Sequence, residues 1–192
     1  MRKSYRTKRL IFRIADPDFA EMAAEFYLAN KESFEVSEER HPEEFYLPEF
    51  QKIWLEIQKE KAQKKEWYEF YIFEKGKPGH IIGTLSLSNF QYGCLCSGTI
   101  GYRIAEKVQG KGYGTEAAME GTRIGFQELG LHRMEANVMP ENVPSLRVLE
   151  KCGYEKEGYF RSYLKINGVW EDHIHLAVVY NEGIEKIENF LL

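Results

Sequence analysis

The residues best placed to do chemistry begin with three glycines, Gly110, Gly112 and Gly114, in the run Val108-Gln-Gly-Lys-Gly-Tyr-Gly-Thr115. The apolar Ile100-Gly-Tyr-Arg-Ile-Ala105 before it reads as a strand, and Thr115-Glu-Ala-Ala-Met119 after it opens a helix. A strand, a glycine-rich turn and a helix N-terminus make an anion cradle. Glycine permits positive φ and close backbone approach, and the unpaired amides of the first helical turn face the ligand along the helix dipole. The expected chemistry is a grip on a phosphate or diphosphate. A Walker loop would end in Gly-Lys-Ser/Thr and a dinucleotide fingerprint would read G-x-G-x-x-G. This run ends in Gly-Tyr-Gly-Thr and reads G-x-G-x-G, so neither applies.

A second constellation follows. In Leu131-His-Arg-Met-Glu-Ala-Asn-Val138, Met134, Ala136 and Val138 alternate with Arg133, Glu135 and Asn137, a strand period. In the segment from Met139 to Tyr154, Asn142 is placed to cap a helix with Pro144 in its first turn, and Gly153 is placed to end it. Read from Gln109, the glycine run is Q-x-x-G-x-G, which resembles the diphosphate loop of the GCN5-related N-acetyltransferases (GNAT). Ala136, Asn137, Asn142, Ser145, Lys151 and Gly153, with Tyr154 as the aromatic, resemble the second acetyl-CoA motif of that family. Thr7-Lys-Arg-Leu-Ile-Phe-Arg13 and the tail Gly168-Val-Trp-Glu-Asp-His173 are similar to the RimJ/RimL branch, whose members acetylate the N-termini of ribosomal proteins. The likeness is dense from Ile100 to Leu176 and thin from Glu32 to Gln63.

The resemblance implies a mechanism and a set of contacts. Acetyl transfer from a thioester needs a neutral amine, a stabilised carbonyl oxygen and a thiolate that can leave. The diphosphate of acetyl-CoA would lie on the amides of Gln109, Gly110, Lys111, Gly112, Tyr113, Gly114 and Thr115. Pantetheine and the oxyanion would meet the backbone of Tyr102, Arg103, Ile104 and Ala105, with Asn137, Asn142 and Ser145 completing the coenzyme site. The Ser145 hydroxyl is read as a hydrogen-bond donor to the thiolate, and helix capping is its simpler role. For the base, Glu39 is the first choice, in the loop where RimJ/RimL-type enzymes carry an acid. Glu38, His41 and Glu44 are close enough in sequence to keep the assignment open. Asp172-His173 could be a carboxylate-oriented base or a structural hydrogen bond, and the latter is favoured. His173 and His175 share a strand face but lack a third ligand at metal spacing, so no metal is expected.

The acceptor's own chemistry narrows the base. An N-terminal amine has a pKa of about 7.7–8.0 and a lysine-type amine about 10.4, a difference of roughly 3.4 kcal/mol in deprotonation cost. An N-terminal acceptor therefore needs only a weak base. Cys152 falls at a helix C-terminus, where the dipole disfavours a thiolate, so direct attack without an acyl-enzyme is expected.

These groups must be held by a scaffold, and the chain is long enough to supply one. Its 192 residues with 43% apolar content suit a single domain spanning 1–192. No apolar run approaches the ~18 residues of a membrane span, and three cysteines without framework spacing suggest a reducing cytoplasm. A net charge of −4 argues against a nucleic-acid partner. Strands are expected at Leu10–Ile14, Trp67–Phe73, His80–Ser88 and Cys96–Ala105, with Met1–Arg9 a solvated basic tail. Helices are expected after Asp16-Pro-Asp18 and over Pro48–Lys65, the latter with Phe50, Ile53, Trp54 and Ile57 at helical spacing. Gly121 and Gly125 would let the helix after the loop lie close on the sheet. The fold class is α/β: the single-domain acyl-CoA N-acyltransferase fold, a mixed, mostly antiparallel sheet flanked by helices and splayed after Ile100–Ala105. The expected partners are acetyl-CoA and an amine acceptor, read as a protein N-terminus, in a monomer or homodimer. A small amine such as a polyamine is the alternative acceptor, and a non-catalytic acyl-CoA-binding module is the alternative class.

Overall fold

The computed structural model describes residues 2–180. In chain order, β1 (Ser4–Arg6) and β2 (Leu10–Ile14) precede α1 (Ala20–Ala29), α2 (Lys31–Phe34) and α3 (Pro48–Gln63). Then come β3 (Tyr68–Glu74), β4 (Lys77–Gln91), β5 (Ser97–Ile104), α4 (Tyr113–Gln127), β6 (Arg133–Val138), α5 (Val143–Lys151), β7 (Glu155–Ile166) and β8 (Val169–Val179). The expected domain end at residue 192 lies outside the described residues.

All eight strands form one sheet in the order β1-β2-β3-β4-β5-β6-β8-β7. Every neighbouring pair is antiparallel except β5–β6. That parallel pair joins only Ser97–Thr99 to Arg133–Glu135. Beyond it, β5 stays with β4 and β6 stays with β8. The sheet therefore opens between Ile100–Ile104 and Ala136–Val138, leaving two strand edges that face each other without a ladder. Unpaired backbone groups at such edges require a partner.

Period-2 alternation gives the central strands two apolar faces. Leu10, Phe12, Phe70, Ile72, Leu85, Leu87 and Ile100 pack on one side against α4, through Ala117, Ala118 and Ile124. On the other side, Ile11, Tyr71 and Phe73 pack against Phe19, Ala23 and Phe26 near and within α1, and Leu55 of α3. The glycines of α4 let it approach the sheet closely. A Cβ at Gly121 would come within 2.8 Å of methyls of Leu85 and Ile100, and one at Gly125 within 2.4 Å of Met134 Sδ.

Two expectations change. The basic tail is not simply solvated: Ser4–Arg6 pairs with Ile11–Arg13 and Tyr5 is buried, because its ring finds Phe70 at 5.7 Å. In α3 the buried face is Gln51, Leu55 and Gln58, while Phe50, Ile53 and Ile57 are exposed. Periodicity identified the helix but not its inner face. The buried glutamines are hydrogen-bonded, Gln51 Nε2 to Phe45 O at 2.6 Å and Gln58 Oε1 from the Tyr71 hydroxyl at 3.2 Å. Those bonds offset part of the cost of burying polar groups, while Gln51 Oε1 has no partner.

Candidate active site

The glycine run folds as the sequence reading requires. Gly110 and Gly112 have φ of 74° and 82°, and Gly112 is the N-cap of α4 without a side-chain cap. The first intrahelical bond is Glu116 N–H to Gly112 O, so the amides of Tyr113, Gly114 and Thr115 have no acceptor within the helix. Gly114 has helical φ, and its missing Cβ would meet Val148, Ile104 and Tyr102 at 3.5–4.0 Å. Gln109 departs from the expected pattern. Its amide donates to Glu106 O and its Nε2 to Ile104 O at 3.0 Å, so both are committed to the loop. Lys111 is exposed at the crest of the loop.

The splayed edges enclose a cleft of about 230 Å³ lined by Tyr102, Arg103, Asn137, Asn142, Ser145 and His173, among others. The Ala105 amide is spent on Ile82 O at 2.9 Å. By antiparallel alternation Arg103 also turns its backbone to β4, leaving the backbone of Tyr102 and Ile104 toward the gap. The sequence reading had offered all four residues, and the ladder removes two. Asn142 caps α5, its Oδ1 accepting from Ser145 N–H at 3.1 Å. The Ser145 Oγ lies 2.9 Å from the Tyr102 hydroxyl. Burial raises the pKa of that hydroxyl, with the Ser145 bond partly opposing, so it remains protonated. Asn137 Oδ1 meets His175 Nδ1 at 2.8 Å.

The loop after α2 forms one wall of the cleft. Glu38, not Glu39, reaches the cleft wall. Both Glu38 carboxylate oxygens lie 2.7 Å from Arg103 Nε. Glu39 is exposed and lines a small separate cavity with His41, Glu35 and Tyr46. His41 stacks on Phe45 at 3.7 Å, where burial lowers its pKa. Glu44 is exposed in a 3-10 turn over Glu43–Tyr46. The tip of the β7–β8 hairpin holds this loop: Asn167 Nδ2 donates to Glu35 O at 3.0 Å and Glu38 O at 3.3 Å, and Asn167 Oδ1 accepts from Arg40 N–H at 2.8 Å. Behind Arg103, the carboxylate of Glu69 is 3.8 Å from Nη1 and buried. Neither of its oxygens has a hydrogen-bond partner. Burial pushes its pKa up to about 7 against the pull of Arg103.

Asp172 and His173 part company because neighbours on a strand face opposite ways. Asp172 accepts from the Tyr159 hydroxyl at 2.7 Å and from Ser162 N–H at 2.6 Å, outside the cleft. Those two bonds lower its pKa. His173 is buried and lines the cleft, with Nδ1 3.2 Å from Glu171 O. A carbonyl only accepts, so the neutral ring carries its proton on Nδ1 and keeps the Nε2 lone pair free. Cys152 is buried against Thr115 O, and burial pushes its pKa up to about 12. Among the described residues, no three His, Cys, Asp or Glu side chains are grouped to hold a metal, and no helix is long and apolar enough to cross a membrane.

The acetyltransferase (GNAT) domain model matches residues 9–155. This chain is a GNAT N-acetyltransferase. It is 42% identical to the probable N-acetyltransferase YjcK of Bacillus subtilis over 150 residues, covering 78% of this chain and 82% of that one. It is 32% identical over 172 residues to the [ribosomal protein uS5]-alanine N-acetyltransferase of Escherichia coli, covering 90% and 88%. Mycobacterium smegmatis RimJ, solved with CoA-disulfide, superposes with a TM-score of 0.88 at 25% identity, covering 97% of this chain and 93% of that one. Acetyl-CoA is the cosubstrate of this acetyltransferase.

Three side chains that shape the cleft and its loop were invisible as such in the sequence. Tyr102 was marked for its backbone, and its hydroxyl reaches Ser145 because β5 faces α5 across the splay. Arg103 was likewise marked for its backbone, yet its guanidinium fixes Glu38. Asn167 had no distinguishing signal beyond the Asn-Gly turn, whose positive φ at Asn167 and Gly168 closes the β7–β8 hairpin.

Proposed function

We propose that this acetyltransferase modifies the N-terminal amine of a protein by direct attack on acetyl-CoA. The observation that carries the reading is the state of the cleft carboxylate. Glu38 is already engaged by Arg103 through both oxygens, which leaves His173 Nε2 as the available acceptor for a proton. An amine with a pKa of about 7.7–8.0 is appreciably deprotonated near neutral pH and asks little of a base, whereas one near 10.4 would need a committed base. The likeness to the Escherichia coli enzyme acting on the alanine of uS5 supports the same acceptor class.

In this mechanism the diphosphate rests on the amides from Gly110 to Thr115. Pantetheine enters the splay and pairs with the open backbone of Tyr102 and with the Ile104 N–H, Ile104 O already accepting from Gln109 Nε2. Glu38 and Arg103 orient the incoming amine. Its lone pair attacks the thioester carbon while an amide of the β5 edge stabilises the oxyanion. As the C–S bond breaks, coenzyme A leaves as its thiolate, to which Ser145 donates a hydrogen bond while Tyr102 donates one to Ser145; with a thiol pKa of ~8.5 the sulfur then takes its proton from solvent. The amine proton passes to His173 Nε2, directly or through water. The buried, protonated Cys152 takes no part. Residues 1–192 act as one domain in the cytoplasm. Comparing acetylation of Ala-initiated peptides with that of spermidine at neutral pH tests the assignment.

A further inference from the structure

Arg9 lies in the turn between β1 and β2, 102 residues before the loop it touches. Its backbone N–H and its Nε donate to Glu116 Oε1 and Oε2 at 2.8 and 2.7 Å, and Thr7 Oγ1 adds a 2.6 Å bond to Oε1. Glu116 is buried in the first turn of α4. Burial alone would raise its pKa, but the bonds from Thr7 and Arg9 hold it below the ordinary value, so the pair stays ionised at neutral pH. The rest of the guanidinium turns to the glycine loop. Nη1 donates to Lys111 O at 2.8 Å, and Nη2 is 3.4 Å from the place a Gly112 Cβ would occupy. The group also lies over the Tyr113 ring at 4.5 Å, and the Tyr113 hydroxyl is fixed by Glu74 at 2.6 Å.

This arrangement determines the orientation of one peptide. The Lys111–Gly112 bond is trans, so its carbonyl and its N–H point in opposite directions. With the carbonyl held by Arg9, the Gly112 N–H points to the other side of the loop. A flip of this peptide turns ψ of Lys111 and φ of Gly112; Gly112 already has positive φ, and as a glycine it imposes little barrier to a flip that would aim the carbonyl at the phosphates instead.

We infer that Arg9 is a positioning residue for the coenzyme: it locks the Lys111–Gly112 peptide so that the Gly112 amide donates to the diphosphate of acetyl-CoA. The inference rests on the cradle being the diphosphate site. The charge of Arg9 is matched by Glu116, so its contribution is orientation rather than attraction.

The test is calorimetric titration of CoA into wild type, Arg9→Gln and Arg9→Lys, with amide spectra to confirm folding and to follow Gly112. Both variants are expected to lose affinity by about tenfold or more. The shift of the Gly112 amide on adding CoA should be present in wild type and lost in both. A folded Arg9→Gln with affinity within about twofold of wild type would overturn the inference. So would Arg9→Lys retaining wild-type affinity and the Gly112 shift, since charge alone would then suffice. Should Arg9→Gln fail to fold, Arg9→Lys and the wild-type Gly112 shift still decide. Wild type failing to bind CoA would remove the cradle itself, a separate and recognisable failure.

Discussion

The Tyr102 hydroxyl stands 2.9 Å from Ser145 Oγ and 3.2 Å from Ser145 O, joining β5 to the first turn of α5 across the open sheet. A tyrosine hydroxyl has one proton to give. When it goes to Ser145 Oγ, the serine proton is free for the sulfur. Tyr102→Phe should therefore lower kcat by roughly 10- to 100-fold with little change in KM for acetyl-CoA, as should Ser145→Ala. The double variant should be no worse than the poorer single one, since both act through one hydrogen-bond chain to the sulfur. Steady-state kinetics of the three variants check this, and strictly additive losses would separate the two residues.

Gly112→Val should nearly abolish CoA binding while the domain stays folded. A β-branched residue at φ 82° costs about 1–3 kcal/mol and disturbs the peptide that faces the ligand. Gly114→Ala should keep wild-type stability, because its φ is helical and its methyl would make ordinary contacts at 3.5–4.0 Å. Thermal melts and calorimetry on the two variants distinguish backbone conformation from bulk.

The motifs from Ile100 to Gly153 were legible because each depends on local rules: positive φ at Gly110 and Gly112, and a side-chain cap at Asn142. The cleft wall formed by the loop after α2 was harder to read. Glu38 and Glu39 are adjacent acids in one loop, and only the distant Arg103 and Asn167 decide which one turns inward. The inner face of α3 was misread for a related reason. Hydrogen-bonded Gln51 and Gln58 occupy the interior, and hydropathy has no means of anticipating their partners.

His173→Gln and Glu39→Gln should separate the base from its exposed neighbour. Loss of the Nε2 lone pair is expected to lower kcat/KM by about 10²-fold near neutral pH, with partial recovery as pH rises and the acceptor amine deprotonates unaided. Glu39→Gln should behave as wild type, because its side chain lies outside the cleft. A pH–rate profile of each variant checks both statements.

Glu69 should make stability fall as pH rises. Its folded pKa of about 7 lies above the ordinary carboxyl value, so the native state holds the proton more tightly than the unfolded chain. Stability is full below the unfolded pKa and is lost as pH climbs through about 7. Glu69→Gln removes this dependence. The variant should gain on wild type by on the order of 2–3 kcal/mol between pH 5 and pH 8. Urea unfolding at both pH values measures the gap, and a gap that does not change with pH would contradict the assignment.

The central claim is transfer of acetyl from acetyl-CoA to a protein N-terminus. Its most direct test is acetylation of Ala- and Ser-initiated peptides, N-terminally blocked controls and spermidine from pH 6 to pH 9, with the modified nitrogen located by mass spectrometry. The account predicts acetylation of the unblocked N-terminal amine, sensitivity to the first two or three residues, and a rate that levels off near pH ~8 with the amine's own pKa. Efficient acetylation of spermidine at neutral pH, with none on the Ala- or Ser-initiated peptides, would contradict it.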